Sequence, residues 1–394
     1  MSIAKKIEVK IAASSWIRRM FEEGGELKKK YGPENVYDFS LGNPNLPPPA
    51  KFKEVLLELI RSEPAAAHAY MPNTGYPDVC GAVAGFLAKE QGASVEGTDV
   101  IMTCGAAGAL NIALKAILDP GDEVLTPAPC FVEYGFYADN HGGVLKTVAS
   151  RPDFQLDLSA LAAAITAKTK VVLINSPNNP TGAVYSAESL KALGELLEIK
   201  SREINRTVYL ISDEPYRKVV YDGVAVPSIF TAYRESLIGT SYSKDLSIPG
   251  ERIGFVAVNP AATHRKALLG GMALANRILG FVNAPALMQR AVARLQGEQA
   301  DIGAYKRKRD LLCDDLAAMG YEFVKPAGTF SLFPRSPIPD DVEFVQALKA
   351  ERVLVVPGSG FHGPGHFRIA FCVDDAVIKN AMPGFERAIR KYRG

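Results

Sequence analysis

The sequence predicts an α/β protein: a mostly parallel, seven-stranded sheet flanked by helices, followed by a smaller α+β domain. Three observations carry this reading. Nearly continuous apolar runs fall at 100–103, 123–126, 144–149, 170–175, 207–212, 237–240 and 252–258. Helical periodicity fills most of the gaps, at 106–117, 131–139, 157–166 and 186–200. Polar or aromatic residues follow five of these strands directly, where sheets of this kind bind their ligands.

The flanking elements follow in chain order. Residues 12–31 place Ile17, Met20, Phe21 and Leu27 at helical spacing, with Ser14 or Ser15 as cap. Asp38 to Pro44 reads as a short strand ending in a turn. Pro47-Pro48-Pro49 links it to a helix over about 50–62, and an irregular loop follows at Ala69 to Gly75. Beyond the sheet, a long helical region over roughly 284–319 leads to strands near 321–324, 329–333, 353–356 and 367–372, with helices near 341–350 and 375–392. A chain of 394 residues exceeds one ordinary core. The division expected is an N-terminal segment, 1–48, joining a small C-terminal domain, 284–394, with a large domain, 49–283, between them.

Composition narrows the function. Hydrophobic residues at 47% and charged residues at 22% describe a soluble globular protein, and a net charge of +2 gives no reason to invoke nucleic acid or an anionic membrane. The basic clusters Lys28-Lys29-Lys30 and Lys306-Arg307-Lys308-Arg309 read as solvated helix faces. The five cysteines (Cys80, Cys104, Cys130, Cys313 and Cys372) form no C-x-x-C pair and no disulfide framework, so each is expected as a small buried residue in a reducing compartment. His362 and His366 are separated by glycines and Pro364, which precludes helical metal spacing, and no metal is expected. No apolar run is long enough for a bilayer, and charges interrupt the N-terminus too often for a secretory signal. The expected location is cytoplasmic.

The chemistry concentrates at Ser241-Tyr242-Ser243-Lys244, with Arg252 eight positions beyond the lysine in a turn opened by Pro249-Gly250. A lysine amine condenses with an aldehyde, and desolvation or neighbouring cations make it reactive. Ser241, Ser243 and Arg252 offer the hydroxyls and guanidinium fork that a phosphate takes. An aldehyde and a phosphate on one small molecule point to pyridoxal phosphate. The other strand exits add Gly105-Ala106-Ala107-Gly108 opening a helix whose free N–H groups hold a phosphate, the aromatic stretch Phe131 to Tyr134, Ser176 to Gly182, and Asp213-Glu214-Pro215-Tyr216.

In this order, Gly42, Tyr70, Gly105 to Ala107, Phe131, Asn179-Pro180-Thr181-Gly182, Asp213 to Tyr216, Ser241 to Lys244, Arg252 and Arg368 resemble the class I/II aminotransferases of fold type I, the aspartate aminotransferase superfamily, over almost the whole chain. The resemblance implies pyridoxal phosphate as cofactor and a homodimer with active sites shared between subunits. It implies Lys244 as the Schiff-base lysine that carries a proton between the substrate Cα and the cofactor, and Asp213 beside the pyridine nitrogen. Tyr216 and Asn179 would meet the cofactor's phenolic oxygen, and Phe131 would stack on its ring. Ala106 and Ala107 N–H groups, Ser241, Ser243, Arg252 and Tyr70 of a neighbouring subunit would hold its phosphate. Arg368 would bind the substrate α-carboxylate with Asn179, and Gly42 either lets the backbone approach that carboxylate or serves a tight turn. Glu214 points the other way as a structural residue.

Two departures bear on specificity. Alanines stand where many relatives carry a hydroxyl in the phosphate cup, and Ala107 stands where some bacterial aspartate aminotransferases place a lysine. Arg277 reads either as an arginine reaching across the dimer or as an exposed helix residue, and Trp16 as either substrate-facing or buried packing. The function implied is a ping-pong transaminase acting on an α-amino acid and a 2-oxo acid, with aspartate or glutamate and 2-oxoglutarate leading and aspartate transaminase the specific form. The alternatives are a pyridoxal-phosphate lyase or decarboxylase on the same fold, and a non-enzymatic regulator, for which no basic helix-turn-helix segment precedes the body. A nicotinamide dehydrogenase would need the G-x-G-x-x-G spacing, which Gly105 to Gly108 lacks.

Overall fold

The computed structural model describes residues 3–12, 16–62 and 64–393. Its strands are β1 (Tyr37–Asp38), β2 (Val100–Thr103), β3 (Glu123–Ala128), β4 (Val144–Ala149), β5 (Thr169–Asn175), β6 (Tyr209–Asp213), β7 (Ser236–Ser241), β8 (Gly254–Val258), β9 (Ser331–Leu332), β10 (Val353–Leu354), β11 (Val356–Pro357) and β12 (Phe367–Ala370). The seven predicted runs form one sheet in the order β2-β8-β7-β6-β5-β3-β4, parallel except for β8, which runs antiparallel to both neighbours.

Alternation along each strand explains why these runs are apolar throughout. Met102, Val172, Leu210 and Ile238 face one core, with helices Pro77–Gln91, Ala187–Glu203 and Ala286–Ala293. Ile101, Val171, Ile211 and Leu237 face the other, with helices Gly105–Ile117, Glu133–Asn140 and Arg265–Ile278. Both faces are dry, so polar side chains inside the strands are few, buried Thr126 on β3 and Ser212 on β6 among them. Edge strand β4 is the exception: four of its six residues are exposed, and Lys146 on it pairs with Glu123 at 2.6 Å, which blunts the edge.

A third core lies beneath β9, β11 and β12, which form an antiparallel sheet in the order β11-β12-β9. The N-terminal segment joins it: β1 pairs in parallel with β10, and Met20 and Phe39 are buried in the same cluster. Ala284, Met288, Ala291 and Val292 pack into the core of the large sheet, whereas Tyr305, Leu312 and Leu316 pack into this third core.

Four expectations need correction. Residues 321–324 form no strand, because Tyr321 N–H closes the preceding helix on Leu316 O (3.0 Å) and Glu322 O accepts Arg335 N–H (2.8 Å) outside any ladder. The region 284–319 is two helices, Ala286–Ala293 and Ile302–Ala318. Gly297 in the left-handed region breaks them apart, and Asp301 restarts the second by accepting Ala304 N–H at 2.9 Å. Helices Pro77–Gln91 and Arg265–Ile278 were not anticipated. Only half of the basic run at 306–309 is a solvated face: Arg307 is exposed, but Arg309 is 1% exposed, bonding Pro326 O (3.0 Å), Asp222 (2.7 Å) and Asp310 (2.7 Å), and buried Lys308 donates to Val373 O at 2.5 Å. The cap expected at Ser14 or Ser15 lies outside the described residues. Four of the five cysteines are buried, Cys104 is half-buried, and all are free.

Among the described residues no helix is long and apolar enough to cross a membrane, and no group of three or more His, Cys, Asp or Glu side chains could hold a metal ion. Arg309 generates a stability prediction. Arg309→Ala removes the buried end of this charge network and leaves a void, which costs about 2–4 kcal/mol. Urea unfolding should show the midpoint falling by that free energy divided by the slope, with the slope itself unchanged.

Candidate active site

Strand register assembles the site. Asn175 on β5 lies opposite Asp213 on β6, and Asp213 opposite Gly239 on β7. At the end of β7, Ser241 lies opposite Gly254 on β8, which in turn faces Thr103 on β2. The sheet therefore presents an amide, a carboxylate and a hydroxyl along one rim, and helix Gly105–Ile117 starts above it. A cavity of about 580 Å³ opens there.

Two glycines make the close packing possible at the phosphate end. A Cβ on Gly254 would come 2.2 Å from Thr240 O and 2.9 Å from the Gly105 carbonyl carbon. Gly105 has φ of 72°, and a Cβ on it would meet the Arg252 guanidinium at 3.0 Å. The helix start, Arg252 and the Ser241 rim thus converge only because both positions lack a side chain. Arg252, itself in the left-handed region, is anchored by donating to Pro249 O at 2.9 Å. Ala106, Ala107, Ser241, Ser243 and Arg252 all line the cavity.

Lys244 follows β7 by three residues, and its Nζ donates to Gly42 O at 2.8 Å, 5.8 Å from the Tyr216 ring centre. Burial holds its pKa down to about 8, with Cys372 opposing and the Arg368 and Arg252 charges adding to the fall. Tyr216 is buried edge-on to Phe330, and burial pushes its hydroxyl pKa well up.

Asp213 is fixed by one oxygen. Its Oδ2 accepts the Tyr134 hydroxyl at 2.6 Å, while Oδ1 is buried with no partner. Burial raises its pKa to about 7, against the hydrogen bond from Tyr134 and with Glu214 adding. Tyr134 also holds Phe131 edge-on at 5.6 Å, which sets Phe131 as a cavity wall. Asn175 ties two loops together: its Nδ2 donates to Asp213 O (2.8 Å) and its Oδ1 accepts Asn179 N–H (2.7 Å).

Arg368 enters from β12 and is 3% exposed. It lies 4.8 Å from the Phe361 ring, donates to Ser40 O, and reaches Asn179 Oδ1 at 3.4 Å, while its Nε is buried without a partner. Burial lowers its pKa to about 10. Glu214, as expected, turns away and pairs with Arg217 at 2.9 Å.

The structure brings Gly42, Ala106, Ala107, Phe131, Asn179, Asp213, Tyr216, Ser241, Ser243, Lys244, Arg252 and Arg368 around one cavity. Tyr70, expected from a neighbouring subunit, is 93% exposed and stands outside the cavity of its own chain. Trp16 packs against Gly360 beside the third core, and Arg277 is exposed in the last turn of its helix; neither lines the cavity. Sequence reasoning missed Tyr134, Asn175, Glu133 and Tyr137. Asn175 was within reach of it, being the last residue of a predicted strand next to the strand that ends at Asp213. Tyr134 was visible only as an aromatic, since nothing local ties it to Asp213.

The donor set fits pyridoxal phosphate. The unpartnered Asp213 Oδ1 matches a protonated ring nitrogen, and the helix start with Arg252 and two serines matches a phosphate dianion. The bare Arg368 Nε matches a carboxylate.

Comparison with known proteins agrees with this geometry. The aspartate/prephenate aminotransferase of Thermus thermophilus is 33% identical over 354 residues, 88% of this chain and 89% of that one. The aromatic-amino-acid aminotransferase 2 of Thermococcus litoralis is 29% identical over the full length of both. Among solved structures, an amino transferase from Eubacterium rectale superposes with a TM-score of 0.96 at 41% identity over all of both chains. The T. thermophilus aspartate aminotransferase with maleate gives 0.86 at 28% identity, covering 98% of this chain and 100% of that one. The model of aminotransferase class I and II matches residues 34–384, and the chain belongs to that family of pyridoxal-phosphate-dependent enzymes.

Proposed function

We propose that the chain moves an amino group between an α-amino acid and a 2-oxo acid in two half-reactions, with aspartate or glutamate as leading donor and 2-oxoglutarate as acceptor. One observation carries the reading: a reactive lysine, a half-satisfied carboxylate and a half-satisfied arginine share a single cavity. Relatives named for aspartate support aspartate as donor, and those names give no support to a lyase or decarboxylase.

When bound, pyridoxal phosphate supplies an aldehyde carbon and an electron-withdrawing ring. Asp213 keeps the ring nitrogen protonated through Oδ1, and Tyr134 prevents the carboxylate from rotating away. Arg368 grips the substrate carboxylate through Nε and the adjacent Nη with Asn179 beside it, while Gly42 leaves room for that carboxylate. Lys244 would hold the cofactor's aldehyde carbon and, when freed, would move a proton from the substrate Cα to the cofactor; an amine with a pKa near 8 can both accept and give that proton at neutral pH. Tyr216 and Asn179 hydrogen-bond the phenolic oxygen, and Phe131 covers the ring and excludes water. Ala106 and Ala107 N–H groups, Ser241, Ser243 and Arg252 bind the phosphate. Tyr70, exposed on its own chain, would reach the phosphate of a second copy in a homodimer, and the location proposed for that dimer is cytoplasmic. The parts of the chain are 1–48, 49–283 and 284–394, with the helix Ala286–Ala293 lending its apolar face to the large one.

A half-reaction screen tests the substrates. Aspartate and glutamate should each bleach the visible band of the holoenzyme within the mixing series, and reaction only with aromatic or aliphatic donors would overturn the substrate assignment. Borohydride reduction followed by peptide mass mapping should place the pyridoxyl adduct on Lys244. Lys244→Ala should keep the cofactor noncovalently and lose roughly 10²–10⁴-fold or more in turnover. Arg368→Leu should lower kcat/KM by roughly 10²-fold, chiefly through KM, with the visible spectrum unchanged.

A further inference from the structure

Behind the wall of the active-site cavity lies a smaller one of about 40 Å³, and Pro215 and Ser241 line both. Five charged side chains surround it: Glu90 from helix Pro77–Gln91, Glu214, Arg217 and Lys218 from the turn after β6, and Asp245 beside Lys244. The contacts that order them all come from one chain. Arg217 is committed: it pairs with Glu214 at 2.9 Å, donates to Val226 O at 2.9 Å, and keeps Glu90 at 3.7 Å. Lys218 pairs with Asp245 at 3.2 Å, its ammonium 4.6 Å from the Phe86 ring centre. Buried Asp245 accepts Leu246 N–H on its other oxygen at 2.9 Å, and its carbonyl accepts Ala300 N–H at 2.6 Å.

Two turns thus carry matching pairs. Residues 215–218 send Tyr216 to the active-site cavity and Lys218 to the cavity behind; residues 243–245 send Lys244 forward and Asp245 back. In front, Lys244 Nζ stands 5.8 Å from the Tyr216 ring centre, while at the back the ion pair closes the gap. A buried pair gains little net stability once desolvation is counted, and its directional bond fixes geometry. We propose that Lys218 and Asp245 are positioning residues: their pair clamps the two turns together from behind and so sets where Lys244 stands relative to Tyr216 and the substrate Cα. Both act through Lys244. This inference rests on the transaminase reading and adds to it the element that holds the base in place.

The test compares the holoenzyme of wild type with Lys218→Met, Asp245→Asn, the double variant of these two, and Lys218→Arg. Each single variant should lower the half-reaction rate at saturating aspartate by roughly 10²-fold. The Kd of maleate, which reports the Arg368 end, should stay within about twofold. Without substrate, the pH midpoint of the visible band should move in the same direction in both single variants, by about half a unit, because both release one clamp. An effect of the charges alone would move the two midpoints in opposite directions. The double variant strands no buried charge, and its rate should fall by the same roughly 10²-fold instead of by the product of the two losses. Lys218→Arg keeps the bond and has the small cavity to enter, so its rate and midpoint should match wild type. Should a single variant fail to fold, the double variant and Lys218→Arg decide by the same two readings. Midpoints that move in opposite directions, in one single variant alone or in neither would sink the proposal, as would a double variant with wild-type rate and midpoint. A wild-type band that no amino acid bleaches would instead bring down the transaminase reading, and the midpoints would still decide on the clamp.

Discussion

The site depends on one half-made interaction. Asp213 sits where β6 leaves a sheet that is apolar on both faces, so its carboxylate has no access to water. Tyr134 satisfies one oxygen and nothing in the chain satisfies the other. A buried acceptor left bare costs about 1–3 kcal/mol, and the native structure carries that cost because the surrounding strands and helices over-determine the position. The same pattern recurs at Arg368, where Ser40 and Asn179 hold the Nη groups and Nε is left bare. Two incomplete polar groups of opposite sign, with a lysine between them whose pKa is itself depressed, constitute the chemical content of the cavity.

Register explains why these groups meet although they are far apart in sequence. Parallel strands ending together bring residues 175, 213 and 241 to one rim, and the antiparallel β8 delivers Arg252 to the same rim from its opposite end. Each functional group stands at or beyond its strand's last residue because any position further in belongs to a core. A polar side chain two residues earlier on β6 would face the cluster that holds Ile211 and Tyr209. Placement at the strand exits therefore follows from burial and requires no separate account.

Much of this was legible in the sequence, for the same reason. Dry strands read as continuous apolar runs, and all seven were visible with ends within two residues. The residues at their exits stood out as the first polar groups after each run. What was not legible depends on contacts across the fold. Tyr134 is an ordinary aromatic until β6 sets Asp213 beside it, and the run at 306–309 looks like a solvated face until Asp222 and Pro326 enclose Arg309. Helix Arg265–Ile278 was missed because a glycine pair, Gly270-Gly271, weakens its helical pattern; packing against helix Gly105–Ile117, where Gly271 comes close to Ala116, sustains it. The expected strand at 321–324 failed because apolar alternation over four residues does not supply a ladder partner.

The unsatisfied groups also tie stability to cofactor binding. A ligand that completes Asp213 Oδ1 and fills the phosphate cup binds the native chain and not the unfolded one, so it returns part of the cost of keeping those groups bare. The three cores on either side of the site carry the rest, which is why the site tolerates a buried lysine and a buried arginine so close together. Burial is the main cause of the lowered pKa of Lys244, with the charges of Arg368 and Arg252 adding to it, and together they leave a fraction of its amine neutral near pH 8. Burial, the larger cause, would persist with an apolar residue at Arg368, so such a replacement removes the substrate carboxylate's partner and leaves the lysine's pKa depressed. Substrate binding at Arg368 and reactivity at Lys244 therefore rest on the same dry cavity, in which burial sets the lysine's pKa and the arginine charge adds only a smaller part.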